Sequence, residues 1–178
     1  MNKRDKYPSS PIAFSSLPPY EYFLIDLGKN LLRARANVTR YELDSDRLSE
    51  MLGGVESYVF DNKIIYTDYD SFMYIVKKDW TNRMKFYEEA FDCDNFATAF
   101  IAHINEVWAL NNVGLAVGKV VDIDTNQPRF VHAWDVVLLG DNDTKKLFVF
   151  EPQAKILMPY DNPVINTLRY VPETILWW

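Results

Sequence analysis

Cysteine is nearly absent from this chain of 178 residues: Cys93 is the single thiol, and only two histidines, His103 and His132, accompany it. A lone cysteine makes no internal disulfide, and this Cys/His inventory is too small for a structural zinc site. No run of about 18 apolar residues occurs, which excludes a recognisable transmembrane helix. The charged start, Met1-Asn2-Lys3-Arg4-Asp5-Lys6, leads into Tyr7-Pro8 rather than into an apolar stretch of signal-peptide length. A basic stripe is missing too. The formal charge is −6 and the pI about 4.9, which sets the chain against nucleic-acid binding. A single thiol without a disulfide framework fits a reducing compartment or a short extracellular life, so a soluble protein, cytoplasmic or phage-encoded, is expected.

The chain is rich in apolar residues, at 48%, and in aromatics, at 15%. That supports one domain with a real core and a substantial sheet. Residues 1–20, with Pro8, Pro11, Pro18 and Pro19, read as an N-terminal arm, and residues 21–178 as a single domain. Helical spacing recurs over Tyr20–Ala36, and Leu43-Asp44-Ser45-Asp46 offers an N-cap for a short helix that Gly53-Gly54 ends. Ser57–Thr67 alternates around Asp61-Asn62, which predicts a hairpin or a bent strand. Asp70-Ser71 is placed to cap a further helix through Lys77 or Lys78. A longer helix begins near Asp92 and runs to about Leu110, its stripe formed by Phe96, Phe100, Ile104 and Val107. From Val113 onward the pattern turns to strands, 115–123, 129–139 and 146–151, with a last one within 167–178. Helices first and an antiparallel sheet second predict an α+β fold.

Cys93 stands where a polar turn becomes this helix. Unpaired N–H groups and the helix dipole there favour thiolate. A thiol nucleophile needs a base within reach and a group to orient that base. His103 lies on the same helix, roughly 15 Å further along at ~1.5 Å per residue, and is read as a polar residue on its flank. His132 shares a strand face with Trp134 and Val136. If the turn pairs Gly140 with Lys145, Glu151 falls opposite Trp134 and becomes the diagonal neighbour of His132. Asp135 points to the other face. Glu151 is therefore the expected partner of His132, although a one-residue slip would reverse the result.

Taken together, these residues resemble a family. Phe91-Asp92-Cys93-Asp94-Asn95-Phe96-Ala97 is similar to the nucleophile segment of transglutaminase-like cysteine proteinases. His132-Ala133-Trp134, followed by Glu151-Pro152, resembles the His-Ala-Trp and Asp-Pro pair of transglutaminase cores. Glu in place of Asp is similar to the C-terminal protease domain of a mushroom agglutinin, whose stand-alone relatives occur in bacteria and phages. The resemblance covers about residues 80–153. It implies a papain-like/transglutaminase-like fold with the nucleophile helix packed on the sheet. It also implies a thiol-dependent hydrolase, a cysteine peptidase or amidase acting on a protein or peptide substrate. Cys93 is its nucleophile, His132 the general base and Glu151 the orienting acid. Acyl transfer to an amine stays open.

The departures concern the oxyanion. Papain-like enzymes place a glutamine where this chain has Tyr87; Trp80 is a second candidate for that role, and Gln153 a candidate member of the polar network. No cofactor is expected. The agglutinin protease is calcium-dependent, which leaves a calcium site open, but Asp122-Ile123-Asp124-Thr125-Asn126 lacks the glycine and glutamate of an EF-hand and reads as a turn. A peptidoglycan amidase or endopeptidase is one alternative, and a catalytically idle phage or bacterial adaptor domain of the same fold is another. The sequence leaves the oligomeric state open.

Overall fold

The order of elements begins with strand β1 (Tyr41–Asp44), helix α1 (Ser45–Met51), strand β2 (Glu56–Val59), strand β3 (Lys63–Tyr66) and helix α2 (Tyr69–Lys78). A 3₁₀ turn, Thr81–Arg83, leads to helix α3 (Cys93–Trp108), and the strands β4 (Val113–Asp122), β5 (Pro128–Leu139), β6 (Lys146–Glu151), β7 (Ile156–Pro159), β8 (Val164–Ile165) and β9 (Leu168–Trp177) follow. The computed structural model describes residues 35 and 37–178. The arm expected over 1–20 and, apart from Arg35, the helix expected over 20–36 lie outside the described residues.

Local chemistry accounts for the boundaries. The Asp68 side chain, not the expected Asp70-Ser71 pair, caps α2 by accepting the Ser71 N–H at 2.7 Å. After α1 the chain turns through Gly53 and Gly54, whose φ values of +68° and +87° suit glycine. Helix α3 ends where Ala109 takes the left-handed conformation, with φ at 50°.

The main sheet runs β2-β9-β4-β5-β6-β7, with β8 on β9; β1 and β3 form a separate antiparallel ribbon. The β5–β6 register, with Leu139 opposite Lys146 and Asp135 opposite Phe150, is the one that follows from pairing Gly140 with Lys145. One face of the sheet carries Trp134, Val136, Leu138, Val149 and Ile175 and packs with Leu48 of α1 and Leu52 just after it. The opposite face meets α3, where the Phe100 ring lies 4.7 Å from that of Phe150. Phe72 of α2 meets both rings edge-on.

Two expectations are corrected here. Residues 57–67 do not form a hairpin: β2 pairs in parallel with β9, far along the chain, while β3 pairs with β1. The α+β class, with papain-like/transglutaminase-like segregation of helices from sheet, gives way to a β-dominated fold. Strand β1 was not expected, and β2, from the stretch read as a hairpin or bent strand, is built into the main sheet. Parallel pairing joins distant segments, so no local pattern announces it.

Candidate functional site

Cys93 is the first residue of α3 and is partly exposed. The Asn95 side chain accepts the Asp92 N–H at 3.2 Å, and the Asn95 N–H goes to Asp94 at 2.9 Å. Acids crowd this entry: a hydrogen bond to Asp94, then partial desolvation and the charges of Asp94 and Glu89, raise the Asp92 carboxyl above its ordinary value.

His132 and Glu151 meet directly. The imidazole Nε2–H donates to Glu151 Oε2 at 2.7 Å, with the histidine side chain 14% and the glutamate 7% exposed. The register explains the contact, since Glu151 lies one residue beyond the Asp135–Phe150 pair and so opposite Trp134. The Gln153 backbone N–H donates to Glu151 Oε1 at 3.3 Å, so Gln153 joins this network through its main chain. The Tyr170 hydroxyl donates to Oε2 at 3.4 Å, and its ring stands edge-on to both His132 and Trp134. Burial, then the Glu151 charge, pushes the Tyr170 phenol up. Phe130, half-exposed, stands edge-on to His132 from the outside.

A β-bulge shapes this end of the sheet. The β4–β9 register shifts between Val117 and Gly118, and Gly118 lies beside both His132 and Pro172. A Cβ on Gly118 would stand 2.2 Å from the Val171 carbonyl oxygen, so only glycine permits this approach.

A second polar cluster lies on the α3 side. His103 Nδ1–H donates to Asp79 Oδ1 at 2.7 Å, both side chains being nearly inaccessible. Thr81 donates to Asp79 through its N–H and its hydroxyl, and Lys155 reaches the Asp79 and Val76 carbonyls. Burial raises the Asp79 carboxyl, but the His103 and Thr81 hydrogen bonds outweigh it, leaving the group below its ordinary value. The flank-residue reading of His103 is thus corrected: it is a buried partner of an acid that the sequence reading did not single out. Asp135 is completely buried, with no hydrogen-bond partner for either carboxyl oxygen. Burial, then the charges of Glu151 and Asp79, raises it well above the ordinary carboxyl value.

The other expected residues fall elsewhere. Tyr87 is exposed and closes a turn with Phe91, and the Lys85 ammonium lies over its ring. Trp80 is half-exposed beside His103. The Asp122 loop is a turn: Oδ1 accepts from Asp124, Thr125 and the Thr125 hydroxyl, and Oδ2 from Arg129. Among the described residues no group of three or more His, Cys, Asp or Glu is placed to hold a metal. No helix among them is long and apolar enough to cross a membrane. Tyr170 and Asp79 were missed because each reaches its partner across distant chain; only the strand pattern near 167–178 hinted at Tyr170.

The described fold, a β-rich sheet flanked by helices, is shared with solved structures, one of them named as a lectin. One is titled the PSL1a–E64 complex: it has a TM-score of 0.54 and 20% identity, over 76% of this chain and 51% of that one. Another is Polyporus squamosus lectin bound to the human-type influenza-binding epitope Neu5Aca2-6Galb1-4GlcNAc, with a TM-score of 0.50 and 19% identity, over 76% and 49%. This chain spans about half the length of each. No family model matches the chain, and no curated protein does.

These findings correct the resemblance to papain-like and transglutaminase-like cysteine peptidases: a fold neighbour is named as a lectin, and no family model supports a peptidase. The thiol hydrolase with protein or peptide substrate, and the enzyme reading with it, are withdrawn. The site geometry adds a physical reason. Among the described residues Cys93 makes no hydrogen bond to His132 or Glu151, the contact that a thiol nucleophile and its base require. Helix α3 packs on the Asp135–Phe150 face, whereas the His132 ring lies with Trp134 and Tyr170.

Proposed function

We propose that this chain is a glycan-binding domain and that His132, Glu151 and the half-exposed Phe130 form its recognition site. The observation that carries the reading is the His132–Glu151 pair, 2.7 Å apart and framed by aromatic rings at the bulged end of the sheet. Small-molecule sites combine aromatic walls with a few fixed polar groups. Glu151 orients the imidazole, leaving Nδ1 for a ligand hydroxyl, and Phe130 offers a ring against which a sugar can pack. The lectin neighbour's title, which prints a sialylated trisaccharide, supports the ligand class. The single thiol supports a reducing compartment such as the cytoplasm.

The test is titration of the folded protein with Neu5Acα2-6Galβ1-4GlcNAc, followed through the His132 ring resonances, with and without a calcium chelator. Saturable shifts are expected, with His132→Ala weakening affinity about tenfold, or ~1.4 kcal/mol. A chelator effect would add calcium to the site. Because a neighbour is titled as an E64 complex, E64 supplies the contrary arm. Absence of glycan binding, or a stoichiometric E64 adduct on Cys93 without it, would overturn the reading, the adduct in favour of thiol chemistry.

A further inference from the structure

Strand β6 ends on Glu151, which pairs with Ile156 of β7, so the hairpin loop between them is only Pro152-Gln153-Ala154-Lys155. Its last residue, Lys155, takes the left-handed conformation, with φ at 54°, which a residue with a Cβ does not favour. Strand β7 is an edge of the main sheet, so among the described residues no further strand supports this loop. Support comes instead from the Lys155 side chain. Its ammonium donates to the Val76 carbonyl at 2.8 Å and to the Asp79 carbonyl at 2.9 Å. Val76 lies in the last turn of α2 and Asp79 caps that helix. Carbonyls at a helix end lack partners within the helix, and the negative end of the dipole attracts a cation. The anchor is itself fixed. The Asp79 carboxylate accepts from His103 and from the Thr81 N–H and hydroxyl, and the residue is buried.

The same loop touches the proposed recognition site. The Gln153 N–H, two residues before Lys155, donates to Glu151 Oε1 at 3.3 Å, while His132 and Tyr170 both address Oε2. Without the Gln153 N–H, these contacts hold the carboxylate by Oε2 alone, and it is free to turn about its last bond. A bond of 3.3 Å is long for an N–H donor and is easily lost if the loop shifts. We propose that Lys155 is a positioning residue of the His132–Glu151 site: by tying the β6–β7 loop to the end of α2, it keeps the Gln153 N–H on Oε1 and so fixes the carboxylate that orients His132. The His103–Asp79 pair gains a role as well, since it immobilises the residue whose carbonyl Lys155 grips. The inference deepens the proposed recognition site and rests on that reading for its purpose, but every contact in it is made without a ligand.

The experiment uses the unliganded full chain, so its failure is distinct from failure of the glycan reading. Hydrogen exchange of the Gln153 amide and of the His132 ring Nε2–H is followed by NMR in the native protein and in K155M, K155R and K155G. In K155M both protons are expected to exchange about tenfold faster or more, while the amides of the β5–β6 ladder keep their native rates. K155R is expected to restore protection, because a guanidinium can donate to both carbonyls. Glycine suits the left-handed φ but lacks the ammonium, so K155G is expected to behave as K155M does. Native exchange at Gln153 and His132 in K155M would overturn the proposal. So would native exchange in K155G, which would assign the order of the loop to its backbone. Loss of protection throughout the β5–β6 ladder that K155R does not restore would also overturn it, in favour of a lysine that serves stability alone.

Discussion

Replacing Asp135 by asparagine should make the protein more stable, by an amount that grows with pH. Asp135 is fully buried, both its oxygens lack partners, and its carboxyl is raised well above the ordinary value. In the unfolded chain the same carboxyl ionises with a pKa of about 3.9. A raised folded value means that the folded state holds the proton when the unfolded state has lost it. The favourable contribution is then complete below the unfolded value and is lost as pH rises towards the folded one. Within that window the native protein loses about 1.4 kcal/mol of stability per pH unit through this group, a loss that asparagine does not suffer. Asparagine leaves an amide equally short of partners, so the desolvation of about 1–3 kcal/mol for an unsatisfied buried polar group largely cancels between the two. The growing pH difference is what remains. Urea unfolding at pH 5 and 6, monitored by tryptophan fluorescence, measures it. The D135N advantage should rise by roughly 1 kcal/mol or more between the two points. A difference that does not change with pH would refute the argument, because it would mean that Asp135 is ionised in the fold. Asp135→Leu, which removes the polar group altogether, should stabilise at both pH values if the side chain fits the space.

Two further outcomes follow from the site's surroundings. Gly118→Ala should destabilise by about 2 kcal/mol or more, since its Cβ would meet the Val171 carbonyl oxygen at 2.2 Å; thermal unfolding unchanged from the native protein would mean that the bulge relaxes freely. The Asp122 carboxyl, lowered to about 2 first by its hydrogen bond to Arg129 and then by those from Thr125, should titrate there by NMR and move up in Arg129→Gln. Because this folded value is depressed, its contribution is present above the unfolded value and lost as pH falls from about 4 towards about 2. An unchanged Asp122 titration in the variant would assign the effect to the turn alone.

Much of the local structure was legible in the chain. The start of α3 at Cys93 follows from a polar turn meeting a 3.6-residue stripe, and the strands from β4 to β6 follow from alternation and turn residues. The meeting of His132 with Glu151 was legible as well, because a short hairpin transmits its register from one turn to both strands. These features depend on neighbours a few residues apart or on one turn. Tertiary structure alone decided the rest. Whether 57–67 closed on itself or split between β9 and β1 depended on which distant edge was open. Which face α3 covers decided that Cys93 makes no hydrogen bond to His132, although the order of the residues had suggested a triad. The burial of Asp135 without a hydrogen-bond partner was invisible for the same reason: a side chain's direction follows from its strand, but what stands opposite is set by packing between segments remote in sequence.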